Sequence, residues 1–195
     1  DHWRELWGGE RKPFYYVEIA PHEDGEQNVN EALVREQQAR VMDMTDNVGM
    51  VCTNDLVYDY ETWNVHPSQK EPIARRLAYW ALSRDYGYGD AVKTIGPRFR
   101  SMEVLDGGVV RVHFDGSDCG FLIKGEIVGF ELAGSDGVFR PAKAVRRRPD
   151  PTVLYVSNYD VGNPVYLRYN FKNCSVGRLW DAFGQPVVPF RTDNF

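Results

Sequence analysis

The first half of the chain shows a strand pattern, a helix pattern, and then the same two again. Residues 14–20 are aromatic and β-branched and end at Pro21, which predicts a buried strand. Residues 48–53 form a second short apolar run of the same kind. Because each run is followed by a stretch with helical periodicity, this half is predicted to be an α/β arrangement with a parallel sheet.

Two helices are predicted around the second strand. The first follows Asn28, which lies three residues before Glu31 in capping-box spacing. The second covers residues 71–86, and either Ser68 or Glu71 could cap it. The apolar faces are expected to comprise Leu33, Val34, Val41 and Met44 in the first helix, and Ile73, Leu77, Trp80 and Ala81 in the second.

The pattern changes near residue 95 to short strands separated by Gly, Pro and Asp turns. Apolar and polar residues alternate over residues 109–114, 152–156 and 165–169. Turns recurring about every ten residues are typical of a small antiparallel β-sandwich or barrel. We therefore predict an α/β segment over residues 1–94 and a β-rich domain over residues 95–195.

Charge and composition narrow the possible partners. The 195 residues carry a net charge of −5, with a sequence pI of about 5.4, which disfavours a nucleic-acid partner. The basic run at residues 146–148 is expected to be an exposed turn. No apolar run approaches the roughly 18 residues of a membrane span, so no membrane partner is expected. The first residue is not Met and no leader pattern follows it, so we expect the chain to be part of a longer polypeptide.

The three cysteines do not predict a disulfide scaffold, because their number is small and odd. Cys52 lies inside an apolar run and is expected in the core. A bridge between Cys119 and Cys174 is left open by their spacing.

Several kinds of site are excluded by their missing motifs. The sequence has no phosphate-binding loop, no dinucleotide glycine fingerprint and no Gly-x-Ser-x-Gly nucleophile turn. Its four histidines are scattered without metal-ligand spacing. We therefore expect neither a metal nor a cofactor.

One histidine has the setting of a reactive group. His66 ends the loop after the second strand, and loops at the carboxyl ends of strands are where α/β sheets bind ligands. Pro67 keeps His66 out of helical dihedrals, so its ring projects from an extended loop. The nearby acids Asp55, Asp59 and Glu61 could fix its tautomer, as the third member of a catalytic triad does. A hydrogen-bonded structural histidine is the alternative.

An ordered series of motifs resembles one enzyme family over essentially the whole chain. Asn64-Val65-His66-Pro67, with Lys70 and residues 75–82, resembles the histidine block of the SGNH (GDSL-like) esterases and is most similar to the sialate O-acetylesterase branch. Further similar segments are residues 3–8, 13–21, 32–38, 95–97, 130–134, 139–142, 164–169 and 189–192.

The resemblance implies a fold and a mechanism. The fold is the C-terminal part of an SGNH-type flavodoxin-like α/β/α hydrolase domain, followed by a small antiparallel β-sandwich-like domain. The mechanism is acyl transfer through a serine, with His66 as general base. The family's serine, and its glycine and asparagine of the oxyanion hole, lie in earlier blocks that this sequence does not contain. The chain is thus expected to carry the base without the nucleophile and to be inactive alone.

Two acids and a backbone carbonyl are candidates for the group that orients His66. Many SGNH enzymes place an aspartate three residues before the histidine, where this chain has Trp63. Asp55 and Asp59 align loosely with acidic positions of the family's loop, and Asp59 is the preferred candidate. A backbone carbonyl could replace both, and a solvated acidic loop is the alternative.

Two functions follow from these observations. The first is a carboxylic ester hydrolase that removes acetyl groups from sialic acid, or else from acetylated xylan or another glycan. Its partners would be the O-acetylated sugar and the N-terminal part of the same enzyme or a second chain, and its location extracytoplasmic (periplasmic, secreted or lysosomal). The second is a non-catalytic carbohydrate-binding or architectural module, for which 11 Tyr, 10 Phe and 5 Trp could supply stacking surfaces.

Overall fold

The parallel strand pair predicted for the first half is present. The computed structural model describes residues 2–9, 11–23, 25 and 29–195. Strand β1 (Phe14–Val17) pairs in parallel with β2 (Val48–Val51), so that Phe14 lies opposite Val48 and Val17 opposite Val51. Both strands are shorter than predicted. The helices of this half are α1 (His2–Leu6), α2 (Asn30–Met44), α3 (Lys70–Arg84) and a single 3₁₀ turn (Gly89–Ala91).

Helix α2 buries a different face from the predicted one. Its buried residues are Ala32, Arg35 and Ala39, whereas Val34 and Met44 are exposed. The other two predicted residues, Leu33 and Val41, are half-buried. The prediction was wrong for Val34 and Met44, because the helix packs inward through two alanines and Arg35, and Ala39 belongs to the same apolar cluster as Met50 of β2.

The start of α2 is bonded to a distant part of the chain. The predicted cap residue, Asn28, lies outside the described residues, so the capping box stays a prediction. The backbone N–H of Glu31 donates to Oδ1 of Asn173, at 2.9 Å, so a residue far along the chain satisfies this helix-terminal amide.

Helix α3 packs on β2 through Trp80. The Trp80 ring lies directly over Gly49, where an added Cβ would come within 2.3 Å of it, and its indole N–H donates to the Met50 carbonyl at 2.9 Å. Trp80 is buried as predicted, while Ile73, Leu77 and Ala81 are half-buried.

The second half consists of antiparallel strands, as predicted. One four-stranded sheet has the order β3-β4-β9-β8, another β12-β10-β6-β7, and β5 pairs with β11. The strands are β3 (Arg98–Leu105), β4 (Val109–Asp115), β5 (Phe121–Ile123), β6 (Phe130–Ala133), β7 (Arg140–Pro141), β8 (Lys143–Val145), β9 (Val153–Ser157), β10 (Tyr166–Tyr169), β11 (Leu179–Asp181) and β12 (Phe190–Arg191).

A hydrophobic core lies between the two four-stranded sheets. Val110 and Val112 of β4 and Leu154 of β9 meet Leu132 of β6 and Leu167 of β10, all without measurable exposure. This follows from the two-residue period of strands, which turns every second side chain of β4 inward.

The C-terminal segment fastens the β-rich half to the α/β half. Val188 packs with Ala39 and Met50. Arg191 of β12 forms a bidentate ion pair with Glu36 of α2, at 2.9 and 3.0 Å. These contacts hold α2 and β2 against the β-rich half.

Two further predictions concern the cysteines and the basic run. Cys52 is buried as predicted, and Cys119 and Cys174 are free thiols rather than a bridged pair. Arg146 to Arg148 lie in an exposed turn between β8 and β9, as expected.

Candidate active site

His66 opens onto a cleft at the carboxyl end of the parallel strands. The cleft has a volume of about 350 Å³. Its position beyond the strand ends is the usual ligand position in α/β sheets. Its lining includes Glu18 and Ala20 after β1, Thr53 after β2, the His66 loop, and Lys70 and Ile73 of α3.

Local backbone contacts fix the loop that carries His66. The His66 backbone N–H donates to Oδ1 of Asn64, at 2.9 Å, which forms a tight turn, and Pro67 is buried. The buried carboxylate of Glu61 accepts the backbone N–H of Tyr58, at 3.2 Å, and that of Ser68, at 3.1 Å. Glu61 therefore ties the two ends of the loop together.

The imidazole ring of His66 is exposed and makes no hydrogen bond to any residue that the structure describes. A catalytic base must be able to approach the proton that it removes, and such contacts often form only once substrate is bound. The ring is therefore accessible to a group that enters the cleft.

The carboxylate of Asp55 is bonded to residues other than His66. Its two carboxylate oxygens accept hydrogen bonds from both terminal nitrogens of Arg76, each at 2.7 Å. They also accept one from the indole N–H of Trp180, at 2.7 Å. Arg76 donates in addition to the Cys52 carbonyl at 2.7 Å. Burial acts to lower the pKa of the Arg76 guanidinium, but the bonds and charge of Asp55 outweigh it and leave that pKa above its usual range. Asp55 thus joins α3 to β11.

Asp59 lies on the surface. Its side chain is largely exposed and one oxygen is 3.6 Å from Arg178. Neither Asp59 nor Asp55 hydrogen-bonds the ring of His66 in this structure, and their role as the orienting acid stays a prediction.

The fold of the whole chain is similar to part of a solved enzyme structure. The chain matches a novel carbohydrate acetylesterase, XAC1771 from Xanthomonas citri, with 28% sequence identity and a TM-score of 0.85. The match covers 100% of this chain and 44% of that chain. It supports the expected likeness to carbohydrate acetylesterases and does not single out the sialate branch.

Comparisons by sequence give no further relatives. No protein-family model matches the chain. No curated protein matches it either.

Other kinds of site find no support in the part of the chain that the structure describes. There, no three His, Cys, Asp or Glu side chains come together in a way that could hold a metal ion. No helix over the same residues has the length and apolar character to cross a membrane.

Glu18 is a cleft residue that the sequence analysis missed. It follows β1 and is only 2% exposed, yet it lines the cleft. Its Oε2 accepts a hydrogen bond from the backbone N–H of Thr53 at 2.9 Å, whereas its Oε1 is buried and accepts no hydrogen bond from the residues that the structure describes. Burial raises the pKa of Glu18, although Thr53 and the nearby charge of Arg35 counteract part of this effect. A single carboxylate inside an apolar run that ends at a proline was the available signal.

The buried Glu18 should give the folded state a distinct pH dependence. Because its pKa is raised on folding, the folded chain binds the proton more tightly than the unfolded chain. Its contribution to stability is then complete below the ordinary value of 4.5 and is lost as pH rises through the folded pKa. We expect Glu18→Gln, which cannot ionise, to remove this loss when the free energy of unfolding is measured by urea titration from about pH 4 to about pH 8.

Glu71→Gln is the matched control, since Glu71 is an exposed residue of α3. The control should follow the wild-type pH profile. A Glu18→Gln profile parallel to the wild type would show that Glu18 titrates alike in the folded and unfolded chains.

Proposed function

We propose that this chain is the C-terminal portion of a carbohydrate O-acetylesterase and that His66 is its general base. One observation carries the proposal: the ring of His66 is exposed on a cleft at the carboxyl end of parallel strands, in a chain whose full length matches part of a carbohydrate acetylesterase. The serine nucleophile is assigned to a part of the enzyme outside these 195 residues, either an earlier segment of the same polypeptide or a second chain. This chain together with that part is called the assembled enzyme below.

The proposed reaction proceeds in two halves. His66 removes the proton from the serine hydroxyl as its oxygen attacks the acetyl carbonyl, and it then returns that proton to the departing sugar oxygen. A water molecule, deprotonated by His66, next attacks the acetyl-serine and releases acetic acid, which ionises in water, while His66 passes its proton to the serine oxygen. Backbone N–H and side-chain amide donors stabilise the oxyanion in both halves.

The proposed substrate is an O-acetylated sugar. Sialic acid esters are the preferred candidates, because the residues around His66 are most similar to the sialate O-acetylesterase branch. Acetylated xylan or another glycan is the second candidate. An extracytoplasmic location is proposed with them, since the resembling esterases act mainly outside the cytoplasm.

The simplest experiment assays the 195-residue chain by itself. Since the nucleophile is assigned elsewhere, hydrolysis of p-nitrophenyl acetate should not exceed that of a His66→Ala control. Appreciable turnover that depends on His66 would overturn the claim that the serine lies outside the chain.

The coding sequence upstream of Asp1 provides a second check. The proposal predicts that it, or the gene of a partner chain, encodes a Gly-x-Ser block and a Gln-Gly-Glu block. A gene that begins at this point, with no partner carrying those blocks, would contradict the esterase function.

A non-catalytic carbohydrate-binding module is the second candidate function. The exposed aromatic side chains of Tyr60 and Trp63 on the His66 loop favour it. It predicts sugar binding without any effect of His66 on turnover, which separates it from the esterase.

A further inference from the structure

The loop between β2 and α3 presents aromatic rings to solvent. Tyr58, Tyr60 and Trp63 are 44%, 73% and 71% exposed. Aromatic side chains normally bury their large apolar area, and an exposed group of them marks a surface that binds something. The same loop carries His66, so this surface belongs to the neighbourhood of the proposed active site.

Two of these rings form a platform at the edge of a second cleft. Tyr58 and Tyr60 stack with ring centroids 5.2 Å apart and planes within 13°. Tyr58 lines the second cleft, whose volume is about 370 Å³, and Trp180 lines it as well. We call this cleft, with the Tyr58–Tyr60 stack, the aromatic cleft.

Polar groups surround the aromatic surfaces of this cleft. Its lining includes Asp59, Gln69, Lys124 and Arg178. Lys124 lies over the Trp180 ring, 5.4 Å from its centroid, and has no carboxylate within ion-pair distance among the described residues. Within the described part of the chain, the ion-pair contact of Arg178 is a long one, 3.6 Å to the exposed Asp59. These donors and acceptors are thus available to a ligand.

This combination matches the chemistry of a sugar ring. A pyranose has a C–H face that packs on an aromatic ring and a rim of hydroxyl groups that both donate and accept hydrogen bonds. Specific small-molecule sites have the same composition, apolar walls with a few placed polar groups. We propose that the aromatic cleft binds one sugar residue of an oligosaccharide, which packs on the Tyr58–Tyr60 stack and hydrogen-bonds Lys124, Arg178 and Gln69.

The position of the aromatic cleft connects it to the His66 cleft. Gln69 lines the first and Lys70 lines the second, and consecutive Cα atoms are only about 3.8 Å apart. The two clefts are therefore close to each other at the start of α3. The inference rests on the proposed function in one respect: the bound sugar would be a neighbour of the acetylated residue, so the substrate would be a glycan chain rather than a free monosaccharide.

Binding alone tests the inference, so its failure is distinct from failure of the esterase proposal. The 195-residue chain is titrated by calorimetry with xylotetraose, a neutral oligosaccharide, and with sialyllactose, an acidic one. We expect saturable binding of at least one of them. Tyr60→Ala and Lys124→Ala should each raise the dissociation constant by roughly tenfold or more.

Tyr159→Ala is the matched control, because Tyr159 is fully exposed in the turn between β9 and β10, away from the cleft. It should bind like the wild type. Tighter binding of sialyllactose, with a larger rise of the dissociation constant in Lys124→Ala than in Tyr60→Ala, would identify the ligand as an acidic glycan. Equal binding of both oligosaccharides would show that the cleft recognises the neutral face of a sugar ring.

Three results would overturn the inference. They are no saturable binding of either oligosaccharide, equal binding by Tyr60→Ala and the wild type, or binding by this chain that disappears in the assembled enzyme. The last would mean that another part of the enzyme covers the platform.

Discussion

Replacing His66 by alanine in the assembled enzyme is expected to lower kcat by roughly 10³-fold or more. The expected loss is large because the neutral serine hydroxyl is a weak nucleophile, and no other base acts in its place in the proposed mechanism. The ring of His66 is exposed and has no hydrogen-bond partner among the described residues, so its removal should leave the melting temperature nearly unchanged. Steady-state kinetics with p-nitrophenyl acetate and thermal unfolding measure the two effects.

His2→Ala serves as the control for the loss of a histidine. His2 is exposed on α1 and lies at 3.8 Å from Glu5, a surface contact of little energetic weight. The control should keep the wild-type kcat. An unchanged kcat in His66→Ala would make His66 a structural residue and would favour the non-catalytic carbohydrate-binding function.

Breaking the buried pair of Asp55 and Arg76 is expected to destabilise the fold by about 3–5 kcal/mol. The Asp55 and Arg76 side chains are 4% and 9% exposed. Arg76→Met would leave the Asp55 carboxylate buried, with the indole of Trp180 as its one remaining donor among the described residues. The loss should appear as a lower urea midpoint for the whole chain, because the pair holds α3 to both Cys52 and β11.

Arg75→Met is the matched control from the adjacent position. Arg75 pairs with Glu71 one helical turn away on the exposed face of α3. Its loss should change the free energy of unfolding by less than about 0.5 kcal/mol. Equal midpoints for the two variants would contradict a stabilising role of the buried pair.

Asp55→Asn distinguishes the structural role of Asp55 from the predicted catalytic one. The amide oxygen still accepts from Trp180, so enough folded protein should remain for kinetics below the melting temperature. We expect kcat to stay near the wild-type value. A loss as large as that of His66→Ala would instead make Asp55 the acid that orients the histidine.

Strand patterns in the sequence predicted those parts of the architecture that depend on residues close together in the chain. The alternation of β4 and the apolar runs of β1 and β2 depend on the period of a strand, and the structure confirms both the parallel pair and the antiparallel second half. The face of α2 could not be predicted in this way. Its orientation is set by the Met50–Val188 cluster and by Glu36 pairing with Arg191, contacts that reach 155 positions along the chain.

The same distinction applies to the candidate site: features set by neighbours in sequence could be predicted, and features set by distant residues could not. The setting of His66, a loop residue before a proline at a strand end, is visible in the sequence. The engagement of Asp55 is not visible there, because its partners Arg76 and Trp180 lie 21 and 125 positions away. Glu18 is similar: the hydrogen bond from Thr53 and the nearby charge of Arg35 come from residues 35 and 17 positions away, which the fold brings to it.

The central claim, that this chain supplies the base for a serine that lies outside it, has one direct test. The assembled enzyme is treated with a fluorophosphonate, which labels activated serines, and the labelled peptide is identified by mass spectrometry. The account predicts one labelled serine outside these 195 residues and a labelling rate that falls by orders of magnitude in His66→Ala. Label on a serine within this chain, or a labelling rate that does not depend on His66, would contradict it.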